Sequence, residues 1–326
     1  MAVFTPVTDA DARELLQHYQ LGEMVSLRGI SAGIENTNYF LSTTAGEYVL
    51  TLFEVLTYEQ LPFYIELMHH LAEKGLPVPS PQTLKNGQRL TRLHDKPCAI
   101  VTRLNGSYVP EPSVQHCALA AQTLAQMHLA GQDYPHHQPN LRSLNWWEKT
   151  IPNVLEFLNP EQAALLTTTL KEQQELFASA LYQALPEGPA HCDLFRDNVL
   201  FAGTETNPTM GGFIDFYFAG CDKWIFDVAV SINDWCIERA TGVLKIDLVR
   251  AWLRAYNQER PFTAAEKEVW PLILQAAALR FWVSRLYDFY HPRPAQSLKP
   301  HDPTHFERVL TQRKNTVYSL DELLGQ

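Results

Sequence analysis

Pro189-Ala190-His191-Cys192-Asp193-Leu194-Phe195-Arg196-Asp197-Asn198-Val199-Leu200-Phe201 is the stretch whose reading decides the fold. It has the form H-x-D-x-x-x-x-N followed by an apolar strand. A second segment, Gly211-Gly212-Phe213-Ile214-Asp215-Phe216, reads as a short buried strand ending in an aspartate and an aromatic. Phosphoryl transfer from a nucleoside triphosphate asks little covalent chemistry of a protein. It needs a carboxylate aimed at the attacking hydroxyl and oxygen ligands that hold magnesium against the phosphates. Asp193 suits the first task as general base. Asn198 and Asp215 suit the second, because carboxamide and carboxylate oxygens are hard ligands. The competing reading is a pair of loop aspartates that cap helices or turns. His191 is expected to hold the loop rather than act as the base. Asp227, at the start of a helix in Trp224-Ile225-Phe226-Asp227-Val228-Ala229-Val230, is expected to brace the loop backbone. The pattern points to phosphorylation of a small-molecule hydroxyl by ATP with Mg2+.

Upstream, Thr8-Asp9-Ala10-Asp11 before Leu15, Leu16 and Tyr19 predicts a capped amphipathic helix. Strands are expected around 24–27, 39–43 and 48–53, the last two flanking Thr44-Ala45-Gly46-Glu47 as an antiparallel hairpin. The turn at 28–38 is rich in Gly, Ser and Asn, and its backbone N–H groups and small polar side chains suit a flap over phosphates. A plain surface turn is the other reading. A helix over 58–74, a stiff proline-rich connection at 76–81 and strands at 90–93 and 97–104 complete this part. Asn105-Gly106-Ser107 then breaks the pattern. The expected division is residues 1–104 as a nucleotide-binding lobe and 105–326 as a catalytic and substrate lobe. The second is mainly helical, with helices at 114–128, 160–185 and 272–283 and short strands around the two motifs. The fold class is therefore α+β, with two lobes.

The bulk numbers exclude several alternatives. With 326 residues, 46% of them hydrophobic and 19% charged, the chain can bury two cores. A net charge of −10 argues against non-specific nucleic-acid binding and against an anionic membrane surface. Met1-Ala2-Val3-Phe4-Thr5-Pro6 has no basic region followed by an apolar core, so no signal peptide is expected. The apolar run at 270–283 is interrupted by Gln275 and Arg280 and is too short to span a bilayer. Five widely spaced cysteines without a C-x-x-C pair suit reduced thiols in the cytoplasm. His136-His137 has no partner at metal-ligand spacing.

His191-x-Asp193-Leu194-x-x-x-Asn198-Val199-Leu200, Gly212-x-Ile214-Asp215-Phe216 and Asp227-x-Ala229 together resemble the aminoglycoside phosphotransferase/choline kinase superfamily of protein-kinase-like folds. Longer segments are similar to the type II homoserine kinases. They are Gly33-Ile34-Glu35-Asn36-Thr37-Asn38-Tyr39-Phe40, Tyr48-Val49-Leu50-Thr51-Leu52-Phe53-Glu54, Ile214-Asp215-Phe216-Tyr217-Phe218-Ala219 and Asp227 to Cys236. The resemblance implies ATP- and magnesium-dependent phosphorylation of the side-chain hydroxyl of L-homoserine, the step that feeds threonine biosynthesis. It implies Asp193 as base and Asn198 and Asp215 as metal ligands. It implies a phosphate flap with Ser31, Gly33, Asn36 and Asn38, and a hinge with Val101, Arg103 and Leu104 at adenine. Thr51 stands where the wider superfamily has a lysine for the α- and β-phosphates, and a hydroxyl cannot supply that charge. Two other readings remain: a kinase of another small alcohol such as choline, an aminoglycoside or a sugar, and a silent nucleotide-binding scaffold.

An amino-acid substrate needs a cation for its carboxylate. Arg280, in an otherwise apolar helix, is the first candidate and Arg196 the second, with an internal salt bridge as the alternative for Arg280. Tyr217, Asp234 and Trp235 are expected to line the other side. Arg285 is expected to face elsewhere and pair with Asp288.

Overall fold

The computed structural model describes residues 4–30, 36–292 and 301–325. The chain divides into two compact units. The first comprises Met1–Gly106 and Gly211–Ile214, and the second comprises Ser107–Met210 and Asp215–Gln326. The expected boundary at 104/105 lies close to this division but lacks the return of 211–214 to the first unit.

The first unit is built on helix α1 (Asp9–Leu16), strands β1 (Met24–Gly29), β2 (Asn36–Thr43) and β3 (Gly46–Phe53), helix α2 (Pro62–Glu73), and strands β4 (Thr91–Leu93) and β5 (Lys96–Thr102). The sheet is antiparallel, in the order β1-β2-β3-β5-β4. In β2 the residues Thr37, Tyr39, Leu41 and Thr43 alternate inward, the period-2 pattern of a half-buried strand. Leu41, Leu50, Leu52, Cys98 and Ile100 meet Leu15 and Leu16 of α1, and Tyr19 just after it, in one apolar core. Thr8 and Asp11 form the expected capping box at the start of α1. Pro62 sits in the first turn of α2, where its missing N–H has no helical partner to lose.

The second unit contains α3 (Val114–Ala130), α4 (Leu144–Thr150), α5 (Pro160–Phe177), α6 (Ala180–Gln183), β6 (Glu187–Ala190), β7 (Val199–Thr204) and β8 (Asn207–Phe213), the end of which passes into the first unit. It continues with β9 (Gly220–Lys223), α7 (Trp224–Trp235), α8 (Ile246–Glu259), α9 (Ala264–Tyr290), α10 (Thr304–Asn315) and α11 (Leu320–Leu324). β6 pairs with β9, and β7 pairs with β8.

Two local readings need correction. The expected helix over 160–185 is broken. Ser179 accepts a hydrogen bond from the Tyr182 backbone and caps a separate short helix, while the Phe177 and Tyr182 rings stack at 4.1 Å. Glu187–Ala190 is a strand paired with β9, so the loop at 191–198 runs from strand to strand. The apolar helix expected at 272–283 is the central part of α9, a 27-residue helix that carries Pro271 inside it.

Gly212 shows why the second motif needs its glycine. Its φ is +134°, and a Cβ there would stand 2.1 Å from the Pro77 carbonyl oxygen. The next residue, Phe213, donates its N–H to that same oxygen at 2.9 Å. Only glycine permits this approach.

Candidate active site

The catalytic loop, residues 191–198, lies against one face of α7. Asp227, Ser231, Asp234 and Trp235 follow the spacing i, i+4, i+7, i+8, which places them on one side of a helix. Each bonds the loop backbone. Asp227 accepts from the N–H of His191 at 2.7 Å and of Cys192 at 2.8 Å. Trp235 Nε1 donates to the Leu194 carbonyl at 3.0 Å, and the Ser231 hydroxyl donates to it at 3.3 Å. Asp234 Oδ2 accepts from the Arg196 N–H at 2.8 Å. Such support lets the loop keep a costly conformation: Cys192 has φ +62°, a left-handed value that non-glycine residues rarely adopt.

Asp227 is itself held from behind. His128, fully buried in α3, bonds it through Nε2 at 3.0 Å and bonds the Tyr256 hydroxyl through Nδ1 at 2.7 Å. Arg260 Nε donates to that hydroxyl oxygen at 2.7 Å, and the Arg260 guanidinium pairs with Glu266. Since Tyr256 receives from Arg260, it donates its own proton to Nδ1, which leaves His128 neutral with its one N–H aimed at Asp227. Burial accordingly holds the His128 pKa below its ordinary value, against the pull of Asp227. Burial works to raise the Asp227 pKa, but the bonds from His128 and the loop outweigh it, and the carboxyl stays below its ordinary value. Asp227 thus braces the loop, as expected from its place in the sequence. The relay through Tyr256, Arg260 and Glu266 has no signature in the motif.

Asn198 donates its side-chain N–H to the Asp193 carbonyl at 2.8 Å and reaches Asp193 Oδ2 at 3.4 Å. Its nitrogen faces Asp193, and its oxygen is the atom that remains for a cation. Asp215 follows β8 in a left-handed conformation, φ 63° and ψ 61°, which aspartate tolerates better than most residues. The His191 ring packs against Phe216 at 4.7 Å and so ties the second motif to the first. Asp193 is brought electrostatically to Asp215. Burial lifts the Asp193 pKa to about 7, Arg280 pulls it down, and Asp215 and Asp197 push it up. A carboxylate tuned near neutrality is suited to general-base work. Among the described residues no group of three or more His, Cys, Asp or Glu is arranged to hold a metal by itself. A magnesium ion arriving with a nucleotide does not require one, because it takes one or two protein oxygens together with phosphate and water. Asn198 and Asp215 fit that demand.

The substrate candidates divide sharply. Arg196 is buried and committed: Nε bonds Asp234 Oδ2 at 3.1 Å, Nη1 bonds the Pro110 carbonyl at 2.7 Å, and Nη2 bonds the Asp234 carbonyl. Asp234 and Trp235 are occupied with the loop, and Trp235 is 1% exposed. These three residues therefore serve the scaffold rather than a substrate surface. Tyr217 lies beside Asp215 and is partly buried. Arg280 is different. It is buried on α9, with Nη2 3.9 Å from Asp193 Oδ1. Burial lowers the Arg285 pKa, and Asp193 and Asp288 oppose this. The loop is clamped to this part of α9 by Phe195 and Phe281, whose ring centres are 4.4 Å apart, with Phe306 of α10 stacked on both.

The residues expected at the nucleotide belong to the first unit. Ser31 and Gly33 lie outside the described residues. Asn36 and Asn38 open β2, and Asn38 pairs across the sheet with Thr51. The Thr51 hydroxyl donates to Asn38 Oδ1 at 2.8 Å and is 3% exposed, so its polar atom is already engaged within the sheet. Val101 is in β5 opposite Val49. The Arg103 guanidinium lies 4.1 Å over the Phe40 ring and 3.4 Å from Glu47, and the Leu104 side chain approaches Gly212.

The phosphotransferase enzyme family model APH matches residues 26–264. A homoserine kinase of Burkholderia lata is 57% identical over 327 aligned positions, covering 99% of this chain and 98% of that protein. The chain belongs to the homoserine kinases of this family. Solved structures agree on the fold. The amicoumacin kinase hAmiN, determined with AMP-PNP, Ca2+ and Ami, superimposes with a TM-score of 0.70 at 15% identity, covering 98% of this chain and 97% of that one. A choline kinase from Cryptosporidium parvum gives 0.66 at 13% identity, covering 98% and 100%. The architecture is the protein-kinase-like α+β fold of the aminoglycoside phosphotransferases and choline kinases. No helix among the described residues is long and apolar enough to cross a membrane.

Proposed function

We propose that this protein transfers the γ-phosphoryl group of ATP to the side-chain hydroxyl of L-homoserine, giving O-phospho-L-homoserine and ADP. The observation that carries this reading is the near full-length similarity to homoserine kinases at 56–58% identity. The geometry around Asp193 supports it. Asp193 accepts the hydroxyl proton as the oxygen attacks the γ-phosphorus and the bond to the ADP oxygen breaks. The Asp227 brace and the Trp235 and Ser231 bonds to the loop hold the carboxylate in place. Asn198 and Asp215 would hold Mg2+, which when bound neutralises charge on the transferring phosphoryl group. The phosphorylated product places this enzyme in the synthesis of threonine.

The test is a purified-protein assay with ATP, Mg2+ and a panel of alcohols including L-homoserine, choline, ethanolamine and a sugar. Phosphate transfer to L-homoserine with the highest kcat/KM is the expected result. Transfer to another alcohol but not to homoserine would overturn the acceptor and leave the kinase. Asp215→Ala should abolish magnesium-dependent turnover without unfolding the protein, and retained turnover would remove Asp215 from the metal site.

A further inference from the structure

Arg280 is a buried cation whose nearest acid is the general base. Its side chain is 4% exposed. The shortest approach to Asp193 is 3.9 Å, beyond hydrogen-bond distance, and its buried Nε has no hydrogen-bond partner among the described residues. Aromatic rings flank the guanidinium instead, with Phe281 at 3.9 Å and Phe218 at 5.5 Å from their centroids. Arg196 and Arg260, also buried, each bond a carboxylate directly. A guanidinium kept out of water without a close counter-charge is costly, and an anion that arrives with a ligand relieves that cost.

Two kinds of anion enter the proposed reaction: the phosphates of ATP and the α-carboxylate of the amino acid. The two oxygens of Asp193 separate them. Oδ2 lies 3.4 Å from the Asn198 amide, on the side assigned to metal and phosphate. Oδ1 is the oxygen that faces Arg280. The walls beside Arg280 are phenyl rings, which suit a short aliphatic chain better than a hydrated triphosphate. In homoserine four bonds separate the carboxylate carbon from the hydroxyl oxygen, a span of about 5 Å when extended. A hydroxyl on Asp193 and a carboxylate on the Nε edge of Arg280 are compatible with that reach.

We propose that Arg280 selects the acceptor by binding the substrate α-carboxylate through its Nε edge, so that an alcohol without a carboxylate leaves a buried guanidinium unpaired. The inference rests on the homoserine reading. Arg285, further along the same helix, adds a second positive charge that feels Asp193, Asp288 and Asp197. Planar bidentate binding of a carboxylate is the arginine specialty that a lysine point charge does not reproduce.

The experiment compares L-homoserine with 3-aminopropan-1-ol, which is homoserine without its carboxylate. Wild type, Arg280→Gln and Arg280→Lys are assayed with both acceptors, and AMP-PNP affinity is measured with Mg2+. The ratio of kcat/KM for homoserine over aminopropanol should fall about 10²–10³-fold in Arg280→Gln, mainly through KM for homoserine. Arg280→Lys should recover part of that ratio, and AMP-PNP affinity should stay within threefold of wild type, roughly the scatter of a contact that is not made. A proportional loss with both acceptors, or a loss of AMP-PNP affinity, would assign Arg280 to the base or the phosphates and overturn the proposal. Wild type that transfers to no amino-acid alcohol would instead overturn the homoserine reading, and the inference with it. Arg280→Lys that folds but gives the same unchanged ratio as wild type would also count against carboxylate binding through the Nε edge.

Discussion

Helices α7 and α9 both border the loop at 191–198, and their polar side chains treat it in opposite ways. α7 presents Asp227, Ser231, Asp234 and Trp235, and each is bonded to loop backbone. α9 presents Arg280, which is as deeply buried but among the described residues has no direct hydrogen bond to an acid and an unpartnered Nε. The first helix stabilises the loop; the second holds a charge in reserve beside it. The contrast is that of a scaffold, whose polar groups are satisfied within the protein, and a buried cation, which on the proposed reading is satisfied by the substrate.

Substitutions can break this contrast in order of size. On the proposed reading Asp193→Asn removes the proton acceptor, and kcat should fall about 10²–10⁴-fold with the folded state retained. Near wild-type kcat would show that Asp193 is not the base. Asp227→Ala should cost about 3–5 kcal/mol of stability in urea denaturation, because it strands the His191 and Cys192 N–H groups and the His128 donor in the interior. A loss under about 1 kcal/mol would mean the loop has other support.

The pH dependence follows from His128. Its folded pKa is depressed, so below the unfolded value of about 6.5 the unfolded chain binds a proton that the folded chain does not. Stability from this residue is therefore complete above about pH 6.5 and falls as pH drops, by up to about 1.4 kcal/mol per pH unit. Urea midpoints from pH 8 to pH 5 would show it, and His128→Gln should flatten that part of the curve. An unchanged slope in the variant would mean that His128 is charged in the folded protein.

The smallest effects separate the two helices most directly. Ser231→Ala should cost about 1 kcal/mol, the size of one neutral hydrogen bond. Arg280→Gln should cost no stability and can raise it by about 1 kcal/mol, since a buried charge without a bonded partner is removed. Should Arg280→Gln destabilise the fold as Asp227→Ala does, the charge would be structural and the contrast between α7 and α9 would disappear.

Much of the first unit was legible in the residues. The Thr8 capping box, the 39–43/48–53 hairpin and the helix entered at Pro62 depend on neighbours a few positions apart. The α7 stripe was legible in principle, since Asp227, Ser231, Asp234 and Trp235 recur at helical spacing in an otherwise apolar helix. Reading Asp234 and Trp235 as substrate contacts missed that periodicity. β6 was not legible, because Glu187-Gly188-Pro189-Ala190 has no strand pattern of its own and becomes a strand by pairing with Gly220–Lys223.

The sequence by itself determined the chemistry around Asp193. The spacing from His191 through Asp193 to Asn198, and the aspartate closing the second motif, are covalent facts that make Asp193 the expected base and Asn198 and Asp215 the expected metal ligands before any packing is known. Tertiary structure alone decided which arginine is bonded to an acid and which is not, among the described residues. Arg196 sits three residues from the base but is taken up by Asp234, 38 positions away. Arg280 is far from the base in the chain but meets it through the packing of α9 against the loop. A charged side chain is free or committed according to the counter-charge that folding brings to it, and that counter-charge is not written in its neighbours.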